Sequence, residues 1–392
     1  MSTTEPALLI LGGGCAGLSL AMQLAALGRD CPRTVIIEPR TVYANDRTWC
    51  FWGDADAPLA DLACHQWSTM MVRAGRRIAF VDCAATPYRM IAAVDFYAAA
   101  QRAIAANTRI TIAAGERVTT APVKRDGRWQ VTTSGASYAA ATVVDTRPGA
   151  PAEHGGATLW QSFSGVEIDC DSPVFDPACV DLMDFSLKDP GRIQFVYVLP
   201  LTAQRALIEV TVFDPVPLAA ADLADALGQA VAARVHGLPY QVRRAEQGIL
   251  PMGTVAAAAP VDPDYVRAGL GSGGARSSSG YAFQRIQRWA AGCAARVAAG
   301  QPLQGHVADP FLLQAMDQLF LSVLHAQPAS APALFVALFG QPDAARVLRF
   351  LSDEGTLADY LALITTLPVR PFLQQIPATL QRVLRQRRVG SA

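Results

Sequence analysis

The segment ALIEVTVFD (206–214) alternates as a β-strand does, yet carries a carboxyl group, Glu209, at its centre. Successive strand side chains point to opposite faces. Ala206, Ile208, Val210 and Val212 therefore share one wholly apolar face, while Leu207, Glu209, Thr211 and Phe213 share the other. A solvated glutamate ionises near about pH 4.3, but apolar surroundings disfavour the charged form and can raise that value by several units. Facing a greasy cavity, Glu209 becomes a proton donor at neutral pH, with Thr211 beside it to orient the carboxyl. Two other placements stay open to it: an edge-strand position in water, or an ion pair with Arg205 or Arg192.

A second cluster of chemistry lies near the N-terminus. Gly12, Gly14 and Gly17 follow the spacing G-x-G-x-x-G. They come directly after the apolar run ALLIL (7–11) and open a helical pattern that continues to about Leu27. The strand RTVIIEP (33–39) follows and sets Glu38 about 20 residues on, which together is the dinucleotide fingerprint. Gly12 permits the tight turn, Gly14 lets backbone approach a pyrophosphate, and Gly17 lets helix and strand pack closely. The helix N-terminus offers free N–H groups to phosphates. Glu38 would accept hydrogen bonds from a ribose and repel a 2′-phosphate, which disfavours NADP at this site. NAD and FAD both suit it. A late loop, GLGSGGARSSSGYAF (269–283), carries Gly273, Gly274 and Gly280 and opens a helix over about 281–299. N–H groups at that helix start would suit the electron-rich atoms of a reduced flavin, which favours FAD. The alternative for 269–280 is an ordinary surface loop.

The elements that must position these residues read as α/β. Residues 95–105 look helical, 109–146 read as short strands with a turn at 125–128, and GRIQFVYVLPL (191–201) and RALIEVTVF (205–213) read as hairpin partners. Residues 219–236 are helical, and from about 309 the pattern is mostly helical and strongly apolar. A chain of 392 residues exceeds the roughly 250–300 that one core organises. The expected divisions are a nucleotide domain in three pieces (1–75, 95–160 and 261–308), substrate-domain strands at 76–94 and 161–260, and a helical cap over 309–392. Hydrophobic residues make up 51% and charged residues 17%, an apolar excess that calls for a large core, an apolar cavity or a membrane-facing patch. Net charge is +0, so no global field attracts nucleic acid. Eight scattered cysteines without a CxxC pair, and five histidines without a spaced cluster, point to reduced thiols and to no metal site. No stretch reaches the roughly 20 apolar residues of a membrane span, and the N-terminus lacks the basic region of a signal peptide.

Several stretches together resemble bacterial lycopene β-cyclases. They are LLILGGGCAGLSLA (8–21), NDRTWCFW (45–52), VVDTR (143–147), QSFSGVEI (161–168), FVYVLPLTAQRALIEVTVF (195–213), EQGILPMG (246–253), GGARSSSGYAFQRIQRWA (273–290), MDQLFLSVL (316–324) and RFLSD (349–353). Two departures stand out. Relatives commonly carry a second acid beside the key glutamate, where this chain has Val210. They also often read Arg-Pro-Ser-Thr-Gly-Tyr in the late loop, where here Arg276 is followed by Ser277, Ser278 and Ser279.

The resemblance implies a Rossmann-type FAD-binding domain, an antiparallel-sheet substrate domain and a helical C-terminal region. It implies a flavin working in its reduced form with NADH or NADPH as electron source, and Glu209 as the acid that starts cyclisation of lycopene to β-ionone rings without net redox change. The expected cavity residues are Thr211, Phe213, Tyr197, Trp49 and Tyr281. Aromatic faces, among which Phe51, Trp52 and Phe283 are further candidates, stabilise a carbocation by roughly 0.5–2 kcal/mol each. A C40 hydrocarbon resides in the bilayer, so the apolar stretches 331–351 and 357–376, followed by Arg382, Arg385, Arg387 and Arg388, imply docking on the inner membrane face from the cytoplasm. The rivals are a flavin-dependent isoprenoid or carotenoid reductase or monooxygenase, and a non-catalytic carotenoid-binding protein.

Overall fold

The computed structural model describes residues 6–149, 157–189, 191–253 and 262–390, with backbone alone for 381–390. Five parallel strands form the nucleotide sheet, in the order Tyr265–Arg267, Thr142–Asp145, Leu8–Leu11, Thr34–Glu38 and Ile110–Ala114. The strands Leu8–Leu11 and Thr34–Glu38 read as near-continuous apolar runs because both faces are covered, as parallel sheets require. On one face lie the helices Cys15–Ala25, Ala93–Ala105 and Phe283–Ala298, whose buried residues share a core with Leu8, Ile10 and Ile36. On the other lies a three-stranded sheet made by residues 123–140.

The second large sheet has seven strands in the order Tyr240–Met252, Leu159–Cys170, Arg205–Asp214, Ile193–Pro200, Cys179–Asp184, Thr69–Ala74 and Arg77–Asp82. The hairpin expected around Thr202 is present, with Ile193–Pro200 antiparallel to Arg205–Asp214. One face of the Arg205–Asp214 strand, Ala206, Ile208, Val210 and Val212, packs in a core with Ala230, Val231 and Val235 of the helix Ala224–Val235. The opposite face looks toward the C-terminal helices Phe311–Ala326, Ala331–Phe339, Ala344–Leu351, Leu357–Thr366 and Val369–Gly390.

The sheets divide the chain differently from the expected boundaries at two points. Thr69–Ala74, placed with the nucleotide domain, pairs with Arg77–Asp82 and Cys179–Asp184 in the seven-stranded sheet. Tyr88–Ala92, placed with the substrate strands, instead joins Thr48–Trp52 and His65–Trp67 in a separate three-stranded sheet. Thr69–Ala74 forms a hairpin with its neighbour Arg77–Asp82, but the strand that ties that hairpin to the large sheet, Cys179–Asp184, lies about a hundred residues on, and Tyr88–Ala92 likewise pairs only with non-adjacent strands, so local pattern could not assign either segment to a sheet. The side chains of Arg382, Arg385, Arg387 and Arg388 lie outside the described residues. Among the described residues, no single helix is long and apolar enough to cross a membrane. All eight cysteines are free thiols.

A buried ion pair fastens the helical region to the late glycine loop. Arg276 is fully buried and donates through Nη2 to Asp317 Oδ1 at 3.1 Å and through Nε to Asp317 Oδ2 at 3.3 Å. Its Nη1 donates to the Phe350 carbonyl, and its guanidinium lies 4.0 Å from the centre of the Phe350 ring. Phe350 thus joins Asp317 in the shell that compensates the buried charge.

Candidate active site

Glu209 occupies neither of the alternative placements. Its strand is interior to the seven-stranded sheet, and the two arginines pair elsewhere: Arg205 Nε donates to Glu167 at 2.6 Å and Arg192 Nε to Asp214 at 2.7 Å. Glu209 is 8% exposed and faces a cavity of about 750 Å³, within the range of small-molecule sites. Thr211 Oγ1 donates to its Oε1 at 3.1 Å.

Antiparallel register explains what surrounds it. Glu246 of Tyr240–Met252 and Glu209 both stand opposite Gly165 of the intervening strand, and Tyr197 stands opposite Glu209 on the far side. The row across one face is therefore Glu246, Gly165, Glu209, Tyr197. The next row holds Gly248, Phe163, Thr211 and Phe195. A glycine inside a strand marks a close approach. A Cβ on Gly165 would lie 3.1 Å from Glu209 Cβ and 3.2 Å from its Cγ, so the missing side chain opens the space over which the two carboxyls face each other.

The two acids have unequal surroundings. Glu246, 7% exposed, accepts hydrogen bonds from Thr48 Oγ1 at 2.7 Å and from Arg244 Nη1 at 2.5 Å. Arg244 also donates to Glu167 at 2.6 Å and to Thr48 at 2.7 Å. Glu209 has no cation in contact among the described residues. Burial, and then the negative charge of Glu246 and a hydrogen bond to it, push its carboxyl well above the usual range, against the opposing Thr211 hydrogen bond and the more distant Arg244 charge.

Thr211, Phe213, Tyr197, Trp49 and Tyr281 line the same cavity as Glu209, as does Phe283. Phe51 and Trp52 do not: both are packed in core, Trp52 against Tyr88 and Tyr281 at ring distances of 4.9 and 4.8 Å. The Tyr88 and Tyr197 hydroxyls are 3.0 Å apart, and Tyr88 and Tyr281 are 3.4 Å apart. Burial raises all three tyrosines and pushes the nearby Cys50 thiol up to about 12, which leaves them neutral.

No residue of the glycine fingerprint lines this cavity; Pro148 and Leu270 do, and their chain neighbours Arg147 and Gly269 pack against Gly12 and Ala16. Gly12 has φ of +97°, and Gly17 meets the first strand so closely that a Cβ would sit 2.0 Å from the Gly12 carbonyl. A Cβ on Gly14, the residue that caps the helix Cys15–Ala25, meets nothing within 4 Å, and no side chain caps that helix. Open space before uncapped N–H groups fits a pyrophosphate. Glu38 is buried at the end of its strand, where it accepts from Gly13 N at 2.6 Å and from Arg40 Nε at 2.8 Å. Burial opposes its ionisation, but the Arg40 hydrogen bonds and charge outweigh that and hold it below its usual value.

The late loop returns to the fingerprint. A Cβ on Gly269 would lie 3.2 Å from Ala16 Cβ, and Gly269 N donates to His306 Nε2 at 3.0 Å. Burial, helped by the Arg285 charge, lowers His306 to about 4, so it is the neutral acceptor this bond needs. Gly273 and Gly280 adopt φ of +85° and +71°. A Cβ on Gly274 would lie 2.6 Å from the Gly269 carbonyl. Gly280 lines the cavity with Ser278, Ser279, Leu270 and Pro148, whereas Gly273 and Gly274 lie back against His306.

Sequence reasoning assigned no part to Glu246, Arg244, Thr48, Gly165 or Arg40. A glycine inside the strand QSFSGVEI was the available signal for a close approach, but naming its two neighbours needs the strand register.

The parallel nucleotide sheet, the largely antiparallel seven-stranded sheet and the C-terminal helices together form a fold similar to that of the flavin-dependent brominase Bmp2. That structure matches with a TM-score of 0.63 at 13% identity, covering 92% of this chain and 97% of its own. A family model described as lycopene cyclase protein matches residues 7–376, and the chain belongs to that family. The lycopene beta-cyclase of Paracoccus sp. (strain N81106 / MBIC 01143) is 29% identical over 270 residues, which cover 63% of this chain and 66% of that protein, just under two thirds. The lycopene beta-cyclase of Pseudescherichia vulneris is 27% identical over 290 residues, covering 70% of each.

Proposed function

We propose that the protein is a flavin-dependent lycopene β-cyclase, an isomerase that turns the ψ-ends of lycopene into β-ionone rings, giving γ-carotene and then β-carotene. The observation that carries this reading is a carboxyl group, Glu209, buried at the wall of a largely apolar cavity that Pro148 and Leu270 of the nucleotide domain also line, where burial raises its pKa well above the usual carboxylate range.

In the reaction the Glu209 O–H adds its proton to the terminal alkene and leaves a tertiary carbocation. The neighbouring double bond attacks that carbon and closes a six-membered ring. Loss of a ring proton gives the β-ionone alkene, so one proton enters and one leaves, with no net redox change. Thr211 orients the acid, and the faces of Tyr197, Phe213, Tyr281 and Trp49 offer cation–π attraction of roughly 0.5–2 kcal/mol each in a site that excludes water. Gly12, Gly14 and the start of Cys15–Ala25 would hold the FAD pyrophosphate and Glu38 its ribose, with Gly17 allowing the helix to pack, while Gly273 and Gly274 shape the loop that brings Gly280 to the ring end. When bound in reduced form, the flavin supplies an electron-rich surface beside the cation, and NADH or NADPH serves as the electron source.

The apolar mouth formed by Ile364, Val369, Leu373 and Ile376, which line the cavity and are also exposed, supports docking on a membrane surface. A cytoplasmic protein bound peripherally to the inner face would meet its substrate there.

Anaerobic incubation with lycopene in liposomes and reduced FAD, followed by chromatography, tests the proposal. β-Carotene is expected from the wild type and almost none from Glu209→Gln. Consumption of one NADPH or one O2 per product would instead mark a reductase or monooxygenase, and an active Glu209→Gln would remove Glu209 from the mechanism.

A further inference from the structure

Glu246 is buried in the site, yet the reaction as written gives it no task. Its geometry is specific. Thr48 from one sheet and Arg244 from its own strand both donate to it, and Gly165 leaves an opening through which it faces Glu209. One carboxyl therefore sits with a cation and a hydroxyl donor, which favours the anion. The other sits among apolar groups, which favour the acid. Two carboxyls that face each other across one glycine and share a hydrogen bond favour holding one proton between them, because like charges disfavour ionising both.

We propose that Glu246 is a positioning residue acting through Glu209: its fixed negative charge keeps the resting proton on Glu209 and, once that proton has gone to the substrate, makes the Glu209 carboxylate basic enough to take the ring proton back. The inference rests on the cyclase reading. The balance closes within the pair. The Glu209 O–H bond breaks as a C–H bond forms on the substrate; later a ring C–H bond breaks, its electron pair becomes the ring alkene, and the O–H bond on Glu209 is restored. Between the two steps both carboxyls are ionised across the Gly165 gap, and relief of that repulsion drives the second transfer. No exchange with solvent is needed between turnovers.

The other titratable groups near the pair do not compete for this proton. Arg244 stays charged, bound also to Glu167. Arg47 lies on the cavity wall. Cys50, Tyr88, Tyr197 and Tyr281, which approach from the neighbouring strands and the late loop, are raised by burial and remain neutral.

Two measurements on Glu246→Gln test the pair. The first is the pH dependence of turnover. Expected are a fall in kcat of about 10²- to 10⁴-fold with KM little changed, and an alkaline limb moved to lower pH by about one unit or more. Glu246→Asp, which keeps the charge, should restore the limb and part of kcat. Wild-type kcat with an unmoved limb in Glu246→Gln overturns the proposal. The second is infrared titration of the flavin-free protein, reading the carbonyl stretch of the protonated carboxyl. That band should be absent in Glu209→Gln and should titrate at lower pH in Glu246→Gln. Thr48→Val should shift the midpoint the opposite way, upward, because it strips a donor from the Glu246 anion. This variant carries the test if Glu246→Gln does not fold, and an unmoved midpoint overturns the proposal. If the wild type makes no cyclised product, the cyclase reading fails, while the infrared midpoints still decide whether the pair exists.

Discussion

A side chain on Gly165 would begin 3.1 Å from the Cβ of Glu209. The absence of a methyl group in one strand thus sets the position of the acid on the next. Gly165→Ala forces Glu209 or the Ile208 carbonyl, also 3.1 Å away, to give by a few tenths of an ångström. The expected cost is about 1–3 kcal/mol of stability, in the manner of overpacking. The cost to turnover is larger, on the order of a hundredfold, because a reacting group is displaced. Urea denaturation and product chromatography on the same sample separate the two effects. Wild-type turnover in a folded Gly165→Ala would show that the carboxyl spacing is not needed.

Much of this site was legible one strand at a time. Period-two alternation placed Glu209 and Thr211 on one face and the Val210 face in a core, because that pattern follows from backbone geometry alone. The glycine spacing located the first turn of the nucleotide domain for the same reason. What could not be read was everything set by long-range pairing. Val210 stands where relatives commonly carry a second acid, and along the strand Glu209 then looks solitary. The structure supplies a second carboxyl sideways, from Glu246, 37 residues later and two strands away. Thr48, Gly165 and Glu167, Glu209 and Glu246 belong to four separate resembling stretches, and register is what makes them neighbours. Arg40 was missed for a different reason: its guanidinium, 4.7 Å from the centre of the Tyr43 ring, reads in sequence as a surface cation after a proline.

The raised ionisation of Glu209 makes a stability prediction that is independent of turnover. Burial first, and the Glu246 charge second, hold its proton in the folded chain above the ordinary value of 4.5. The stabilisation from that bound proton is fully present below this value and fades as pH climbs through the folded value. Glu209→Gln cannot titrate, so the difference in Tm, wild type minus variant, should fall steadily as pH rises above about 5. Thermal melts of both proteins across pH check it. A difference that does not change with pH would mean that Glu209 ionises as a solvated carboxylate does.

Two glycines of the fingerprint should fail in different ways. On Gly17 a new Cβ would meet the Gly12 carbonyl at 2.0 Å, so Gly17→Ala must part helix from strand, at a cost of roughly 1–3 kcal/mol or more. On Gly14 a new side chain meets no protein atom within 4 Å, and the backbone there (φ −80°, ψ −166°) suits any residue. Gly14→Val should therefore keep the wild-type Tm and lose flavin, because its branched side chain enters the space before the helix N-terminus. Flavin absorbance of the purified variants, set beside their melts, distinguishes the two. Full flavin occupancy in Gly14→Val would move the pyrophosphate elsewhere.

The cavity opens between the helices Leu357–Thr366 and Val369–Gly390, and this mouth gives the last prediction. Ile364 is 47% and Leu373 59% exposed, yet both line the same cavity that reaches Glu209. Side chains that are wet on one side and border an apolar channel on the other cost stability unless something covers them, and a bilayer that delivers a hydrocarbon substrate would do so. Replacing either by aspartate leaves the core untouched, so melting behaviour should hold. Each buried apolar side chain is worth about 1.5–3 kcal/mol on leaving water, so each replacement should weaken co-flotation with liposomes by at least about tenfold. Turnover of lycopene presented in liposomes should drop with it, while turnover of detergent-dispersed lycopene should fall much less. Equal losses in both presentations would mean that these residues hold the substrate within the cavity, and unchanged flotation would place the membrane contact on another face.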